Sequence, residues 1–271
     1  MSDVLSKYEG VDLQGQFNIF DYGAKEKFKI DKPIRLIEMF AGIGSQAMAL
    51  RDLGVKFENH RMIEVDKYAV ESYNAIHGTD FKPMDIQSVR GGDLGIKNTD
   101  EYCYILTYSF PCQDLSLAGR QAGMKKGSGT RSGLLWEVER LLKECKELGE
   151  LPQVLLMENV PQVHGLKNIG AFNDWNNFLI SLGYSNYWKD LNAKEIGYPE
   201  PVAQNRERCF MVSLLGDYGY KFPQPLKLKK TMADYLEDEV DEKYYLKGEK
   251  VEKLISELIS SGELETLKKK S

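Results

Sequence analysis

Short apolar runs alternate with segments of helical periodicity through most of the chain. Five runs have the length and continuous apolar character of buried strands: residues 34–40, 60–65, 103–107, 154–157 and 208–215. Apolar residues recur every three or four positions near residues 43–53, 68–76 and 134–145, which predicts helices. Strands that alternate with helices predict an α/β fold with a doubly wound, mostly parallel sheet.

The pattern divides the chain into three parts. Residues 1–32 are polar and weakly patterned, and we interpret them as an N-terminal extension. Residues 33–216 hold the alternating elements and form the predicted main domain. Residues 217–271 are a charged tail that we predict to be helical, because its apolar positions from 251 to 259 have the spacing of an amphipathic helix.

Composition and charge exclude several classes of protein. The chain has 271 residues and a net charge of −5, which argues against a strongly cationic nucleic-acid coat but permits a local basic groove. No apolar run approaches the roughly 20 residues that cross a bilayer, and the first ten residues lack a secretion signal. Four cysteines and three histidines are scattered without metal-ligand spacing. We therefore expect a cytoplasmic protein with no membrane partner, no disulfide framework and no metal site.

A glycine-rich turn follows the first predicted strand. Gly42 and Gly44 let the backbone approach a ligand closely, and Glu64 lies 20 residues beyond Gly44, where a carboxylate can accept hydrogen bonds from a ribose. The pattern predicts a nucleoside cofactor without separating a dinucleotide from another adenosine cofactor, and glycine pairs also occur in ordinary turns. Asp85 and Ile86 follow a third region, where the acid either approaches an adenine amino group or belongs to a solvated turn.

A thiol and a carboxyl group follow the two later strands. Cys112 comes directly after Pro111, a position that suits a nucleophile, although a lone free cysteine is more often inert core packing. Glu158 follows the strand at residues 154–157, where a carboxyl group either donates a proton or caps a solvated strand end. Ligands bind beyond the carboxyl ends of strands in such sheets, so we expect both groups at one site.

Four motifs in order resemble those of the DNA cytosine-5 methyltransferases. They are Phe40-Ala41-Gly42-Ile43-Gly44, Pro111-Cys112-Gln113, Glu158-Asn159-Val160 and Gln204-Asn205-Arg206-Glu207-Arg208. The resemblance covers residues 34–215 and implies a Rossmann-like methyltransferase domain, dependent on S-adenosylmethionine, at residues 33–216. It also implies double-stranded DNA as the substrate and action inside a bacterium or a phage-infected cell.

The resemblance implies roles for individual residues. Cys112 is the implied nucleophile, Glu158 and Arg208 contact the target cytosine, and Arg206 contacts a phosphate or a loop. The implied S-adenosylmethionine pocket consists of Phe40, Ala41, Gly42, Ile43, Gly44, Glu64, Val65, Asp85, Ile86, Pro111 and Leu134. In the implied reaction, the thiolate adds to carbon 6 of a flipped-out cytosine and carbon 5 then accepts a methyl group.

A glycine-rich segment at residues 118–133 is interpreted as a loop that closes over DNA around Cys112. Glycines give such a loop mobility, and interleaved cations give it affinity for phosphates. The cations are Arg120, Lys125, Lys126 and Arg131. The alternative is an ordinary solvated loop.

The sequence departs from the family after Arg208. The family continues into a target-recognition region and a Gly-Asn segment that completes the cofactor pocket, and neither is evident here. We therefore expect the catalytic half of a two-chain enzyme or a shortened chain, with a possible second polypeptide that carries the recognition region. An RNA cytosine-5 methyltransferase and a non-catalytic binding module of the same fold are the alternatives. A nicotinamide dehydrogenase leaves the Pro-Cys and Glu-Asn-Val segments without a role.

Overall fold

The chain divides into two compact units between Lys229 and Lys230, and a six-stranded sheet organises the first of them. The computed structural model describes residues 25–115, 123–127, 129–197 and 199–262. The strands of the described sheet, in spatial order, are β3 (Phe57–Ile63), β2 (Ile34–Met39), β4 (Cys103–Tyr108), β5 (Val154–Asn159), β7 (Glu207–Leu215) and β6 (Tyr184–Asn192). The first four are parallel, and β7 is antiparallel to both of its neighbours. The predicted mostly parallel α/β sheet is therefore confirmed.

In the described part of this unit, four α-helices connect the strands. They are α1 (Ser45–Asp52), α2 (Lys67–His77), α3 (Leu135–Leu148) and α4 (Ile169–Ser181). A two-stranded parallel ribbon joins β1 (Glu26–Lys27) to β8 (Tyr218–Gly219), so residues from the predicted N-terminal extension pair with residues beyond position 216. Among the helices that the structure describes, none is long and apolar enough to cross a bilayer.

Two elements of the sheet region are absent from the sequence-based prediction. Strand β6 lies at the sheet edge, and its sequence mixes polar and aromatic residues, so it lacks the continuous apolar run of a central strand. Helix α4 follows a 3₁₀ turn at Pro161–His164 and was likewise missed. Both precede β7, whose antiparallel direction is a third feature that the pattern of apolar residues did not reveal.

The two faces of the sheet are covered unequally. One face packs against α3 and α4, which bury residues such as Leu141, Leu142 and Trp175 in the larger core. The opposite face carries a smaller apolar cluster, and part of it lines a groove of about 950 Å³. Side chains from β4, β5 and β7 form the floor of this groove, including Ile105, Leu156 and Val212.

The second unit begins at Lys230, and its described residues, up to 262, have short 3₁₀ turns at Met232–Tyr235 and Glu242–Tyr244 and one α-helix, α5 (Glu249–Ser260). The predicted amphipathic helix is present, and Leu254, Ile255 and Ile259 on its apolar side are exposed. Residues 263–271 of the predicted tail lie outside the described residues. The sequence predicts a domain boundary after residue 216. In the structure, the two compact units divide after Lys229.

Trp175 offers a direct test of the packing of α4 against the sheet. Its side chain is fully buried, its ring meets those of Tyr108, Trp136 and Phe178, and its indole N–H donates to the Tyr108 hydroxyl. We expect Trp175→Ala to lower the free energy of unfolding by about 3–5 kcal/mol in urea titrations, because it leaves a large cavity. Leu166→Ala, at a 97% exposed position, is the control and should change that free energy by less than about 0.5 kcal/mol. Equal effects of the two substitutions would contradict the described packing.

Candidate active site

A cavity of about 350 Å³ lies at the carboxyl ends of β2, β4 and β5. Eleven of the residues singled out in the sequence line it: Phe40, Glu64, Val65, Asp85, Ile86, Pro111, Cys112, Leu134, Glu158, Arg206 and Arg208. Ala41, Gly42 and Ile43 line the adjoining groove, and Gly44 lines neither. Residues from seven separate chain segments therefore meet in one place, as expected for the edge of a parallel sheet.

The glycine-rich turn after β2 has an unusual backbone. Phe40, Gly42 and Gly44 all have positive φ, at 56°, 53° and 83°. Positive φ is strained for a phenylalanine, and such strain concentrates at functional sites. A Cβ atom on Gly44 would collide with the rings of Tyr73 and His77 on α2, so this position requires glycine for space as well as for conformation.

Glu64 is held entirely by backbone groups in the described structure. One carboxylate oxygen accepts from the N–H of Gly42 at 3.0 Å, and the other accepts from those of Val65 and Asp66 at 2.8 and 2.9 Å. The carboxylate therefore fixes the glycine turn while it lines the cavity. Val65 beside it is 66% exposed, which leaves an apolar surface open to a ligand ring.

Asp85 caps a short turn and also lines the cavity. Its carboxylate accepts from the N–H of Gln87 at 3.0 Å and thereby caps the 3₁₀ turn Ile86–Ser88. The same residue lines the cavity next to the buried Ile86. The turn therefore orients this acid toward the space where a ligand would lie.

Glu38 on β2 is a fully buried carboxyl group beneath the glycine turn. It accepts from the Tyr73 hydroxyl at 2.6 Å and from the N–H of Ala47 in α1 at 3.2 Å. Burial raises the pKa of Glu38, and these hydrogen bonds partly oppose the shift. The N-cap residue of helix α1 is Gly44, which has no side chain that could accept a hydrogen bond from the first turn. Glu38 on β2 provides such an acceptor for the N–H of Ala47.

Cys112 differs from the other three cysteines, all of which the structure describes. It is partly exposed and lines the cavity, whereas Cys103, Cys145 and Cys209 are buried. Burial raises the pKa of Cys103 to about 11 and that of Cys145 to about 12, and it raises the pKa of Cys209 further. Those three thiols stay protonated at neutral pH and are poor nucleophiles.

The backbone around Cys112 is tied to neighbouring segments. The Asn159 side chain donates to the carbonyl of Phe110 at 2.9 Å, and the Ser132 hydroxyl donates to the carbonyl of Pro111 at 2.6 Å. The carbonyl of Cys112 itself accepts from the N–H of Leu115 at 2.9 Å. Neither Asn159 nor Ser132 is a predicted site residue. Asn159 stands in the Glu158-Asn159-Val160 motif without an assigned role, and nothing in the sequence context of Ser132 shows that it reaches this turn.

Glu158 and Arg208 form an ion pair at the cavity wall. The Nε atom of Arg208 lies 3.1 Å from a carboxylate oxygen of Glu158, and both side chains are about a fifth to a quarter exposed. Glu158 lies opposite Phe210 across β5 and β7, so the antiparallel pairing brings Arg208 alongside it. Arg206 lines both the cavity and the groove.

The described part of the glycine-rich segment is anchored. Lys126 forms a salt bridge with Glu139 on α3 at 2.6 Å and lies 5.1 Å from the centre of the Trp136 ring, whose N–H donates to the carbonyl of Met124. Arg131 lies 4.0 Å from the buried Asp114. Two of the predicted phosphate contacts therefore face acids of their own unit in this structure, and Gly119 and Arg120 lie outside the described residues.

One group of possible metal ligands occurs within the described ranges, apart from the cavity. His164, Asp190 and Cys209 bring their ligand atoms within 4.8 Å of one another. The imidazole Nε2 already lies 3.0 Å from both carboxylate oxygens of Asp190, and its ring packs against Trp188 at 4.6 Å. This contact joins the turn after β5 to the edge strand β6, and a structural hydrogen bond is sufficient to explain it.

Comparison with known proteins decides the family. A model of the C-5 cytosine-specific DNA methylases matches residues 34–268. The chain belongs to this family. It is 35% identical to the type II methyltransferase M2.ScrFI of Lactococcus lactis subsp. cremoris, across 80% of this chain and 71% of that protein. It is 34% identical to the orphan methyltransferase M.SssI of Spiroplasma monobiae, across 78% of this chain and 67% of that protein.

A solved structure supports the fold of this DNA methylase. The Dnmt2 methyltransferase of S. pombe superposes with a TM-score of 0.60 at 22% sequence identity, across 80% of this chain and 63% of that one. Membership of the C-5 cytosine-specific DNA methylases makes S-adenosylmethionine the cofactor and cytosine carbon 5 in DNA the methylated atom. The predicted family, fold class, activity and cofactor are confirmed. The roles predicted for individual residues stay predictions.

Glu64 allows a test of the cofactor side of the cavity. Glu64→Ala removes the acceptor for Gly42 and, by prediction, for the ribose hydroxyls of the cofactor. We expect S-adenosylhomocysteine to bind more weakly by about 1–3 kcal/mol in calorimetry, because hydrogen bonds to a charged group are lost. Glu71→Ala, at an exposed position on α2, is the matched control and should leave binding unchanged. Tighter binding of NAD than of S-adenosylhomocysteine to the unmodified chain would refute this assignment.

Proposed function

We propose that this chain methylates carbon 5 of a flipped-out cytosine in DNA through a covalent bond from Cys112 to carbon 6. The observation that carries the proposal is the meeting of a cavity-lining thiol, the Glu158–Arg208 pair and Glu64 in one cavity, with the glycine turn bound to Glu64 at its border. Each group alone has a structural explanation. Their convergence at the carboxyl edge of the sheet supports a joint chemical role.

The proposed chemistry begins with the thiol, because cytosine carbon 5 is a weak nucleophile. The Cys112 thiolate adds to carbon 6 while Glu158 donates a proton or a hydrogen bond to ring nitrogen 3, which leaves carbon 5 electron-rich. Bound S-adenosylmethionine would supply an electrophilic methyl group at this point. Loss of the carbon 5 proton to a base then returns the electron pair to the ring, and the bond to Cys112 breaks to free the thiolate.

Other residues of the site bind and orient the reactants in this proposal. The Nε atom of Arg208 lies 3.1 Å from a carboxylate oxygen of Glu158. In the proposal, this contact fixes the orientation in which the Glu158 carboxyl group faces the base. The glycine turn, Phe40 and Glu64 form the cofactor side, since a turn without side chains and a fixed carboxylate suit a nucleoside. The cytosine must leave the duplex to reach Cys112, because its ring atoms are inaccessible in stacked DNA.

We further propose that a second polypeptide completes the enzyme by covering the open groove on the sheet. The groove of about 950 Å³ shares Phe40, Ser109, Glu158 and Arg206 with the cavity, so a segment seated there would also form a wall of the active site. Its lining is mainly apolar, including Ile105, Leu156 and Val212, which suits the apolar face of a helix. The proposed occupant is an amphipathic segment of the chain that carries the recognition region. We propose that the assembled enzyme acts in the cytoplasm.

Cys112→Ser is the first test of the chemistry. We expect it to abolish tritiated methyl transfer to duplex DNA, while the affinity for S-adenosylhomocysteine and the unfolding midpoint stay near those of the unmodified chain. With duplex DNA that contains 5-fluorocytosine, a denaturant-stable adduct should form on Cys112, because fluorine does not leave carbon 5 as a proton does. The measurement is gel shift followed by peptide mapping.

Cys103→Ser is the control for that experiment and should still form the adduct, since this buried thiol lies outside the cavity. An adduct mapped to Cys103, Cys145 or Cys209 would refute the proposed mechanism. Unmodified tRNA serves as a parallel substrate. Faster transfer to tRNA than to duplex DNA would move the proposed substrate to RNA.

The second test concerns the chain on its own. We expect the purified chain, checked by mass spectrometry for a co-purifying partner, to bind DNA weakly, without sequence preference and less tightly as salt rises. Phe210→Asp in the groove floor should not alter this weak binding but should prevent a partner chain from restoring specific methylation. Fast, sequence-specific methylation by the isolated chain would refute the two-chain proposal.

A further inference from the structure

A buried carboxylate lies two residues beyond Cys112. Asp114 is 5% exposed, and its carboxylate accepts from the N–H groups of Arg131 at 2.8 Å and Ser132 at 3.3 Å. Its own carbonyl accepts from the N–H of Gly123 at 2.9 Å. Burying a carboxylate is costly unless hydrogen bonds compensate for the lost solvation. The hydrogen bonds of Asp114 do so, and they connect the Cys112 turn to the turn at Arg131–Leu134.

The second turn reaches back to the nucleophile through Ser132. This residue is fully buried, and its hydroxyl donates to the carbonyl of Pro111 at 2.6 Å. Asp114 and Ser132 thus complete a closed circuit of hydrogen bonds that contains the backbone on both sides of Cys112. Leu134, two residues beyond Ser132, lines the same cavity as Cys112. The circuit therefore determines the distance between the thiol and that wall.

We infer that Asp114 and Ser132 are positioning residues that hold Cys112 in place for attack on the cytosine ring. The inference rests on the proposed role of Cys112 as the nucleophile. Neither side chain lines the cavity, so neither contacts the reactants. They act by restricting the backbone that carries the thiol, and misplacing a reacting group by about 1 Å can slow a reaction by about a hundredfold.

Ser132→Ala and Asp114→Asn separate the two parts of the circuit. Ser132→Ala removes the donor to Pro111 and little volume, whereas Asp114→Asn keeps one oxygen that can accept from Arg131. Ser213→Ala is the matched control, because Ser213 is also fully buried and its hydroxyl has no hydrogen-bond partner in the described part of the chain. Asp114→Ala removes the acceptor altogether and should have a larger effect than Asp114→Asn.

The readout is the single-turnover rate of adduct formation with 5-fluorocytosine DNA at low salt, using the full chain. We expect Ser132→Ala and Asp114→Asn to slow it about tenfold or more, with Ser213→Ala unchanged. Affinity for S-adenosylhomocysteine and KM for DNA should stay near their original values while kcat falls. Adduct rates equal to that of the unmodified chain would overturn the inference, as would a loss of rate matched by equal losses of cofactor affinity and thermal stability.

Alkylation of Cys112 by iodoacetamide distinguishes failure of this inference from failure of the proposed function. If the unmodified chain forms no adduct, either alone or with a partner chain that restores methylation, the proposed nucleophile is wrong, yet alkylation still reports how the thiol is held. We expect both variants to be alkylated several-fold faster than the unmodified chain, because release of the turn exposes the half-buried thiol. Unchanged alkylation rates in both variants would show that the circuit does not position Cys112.

Discussion

The register of the parallel strands is the constraint on which the site depends. Met39 on β2 lies opposite Tyr108 on β4, which in turn lies opposite Met157 on β5. The chain leaves each strand at the same level, so the glycine turn, the Cys112 turn and Glu158 meet. A slip of one residue would turn every side chain of the strand to the opposite face of the sheet and separate Glu158 from Arg208.

Three buried or cavity-lining acids connect this edge of the sheet by accepting hydrogen bonds from backbone groups of neighbouring segments. Glu38 accepts from the start of α1, Glu64 accepts from the glycine turn, and Asp114 accepts from the turn before α3. In each case the side-chain oxygens satisfy N–H groups of a segment that borders the cavity. Glu158 differs from these acids, because the partner described for its carboxylate is the guanidinium group of Arg208.

The sequence predicted the central strands and most of the cavity, since these depend on local signals. The apolar runs around residues 34–40 and 154–157 and the glycines after β2 are such signals. Strand β6 and the direction of β7 depend on backbone hydrogen bonds between strands at the sheet edge. Polar and aromatic residues form these bonds as well as apolar residues do. Ser132 and Asp114 escaped prediction for a related reason: their importance arises from backbone groups about 20 residues away along the chain.

The hydrogen bond between Gly123 and the carbonyl of Asp114 has an evolutionary consequence. This hydrogen bond brings Gly123 back to Asp114, next to the Cys112 turn. The Thr130 hydroxyl holds Gly123 in turn, because it donates to the Gly123 carbonyl. Changing the number of residues between two joined ends costs little free energy, about 0.6 kcal/mol for a doubling of length. The intervening stretch can therefore diverge in length and composition among descendants of this chain without displacing the thiol that it adjoins.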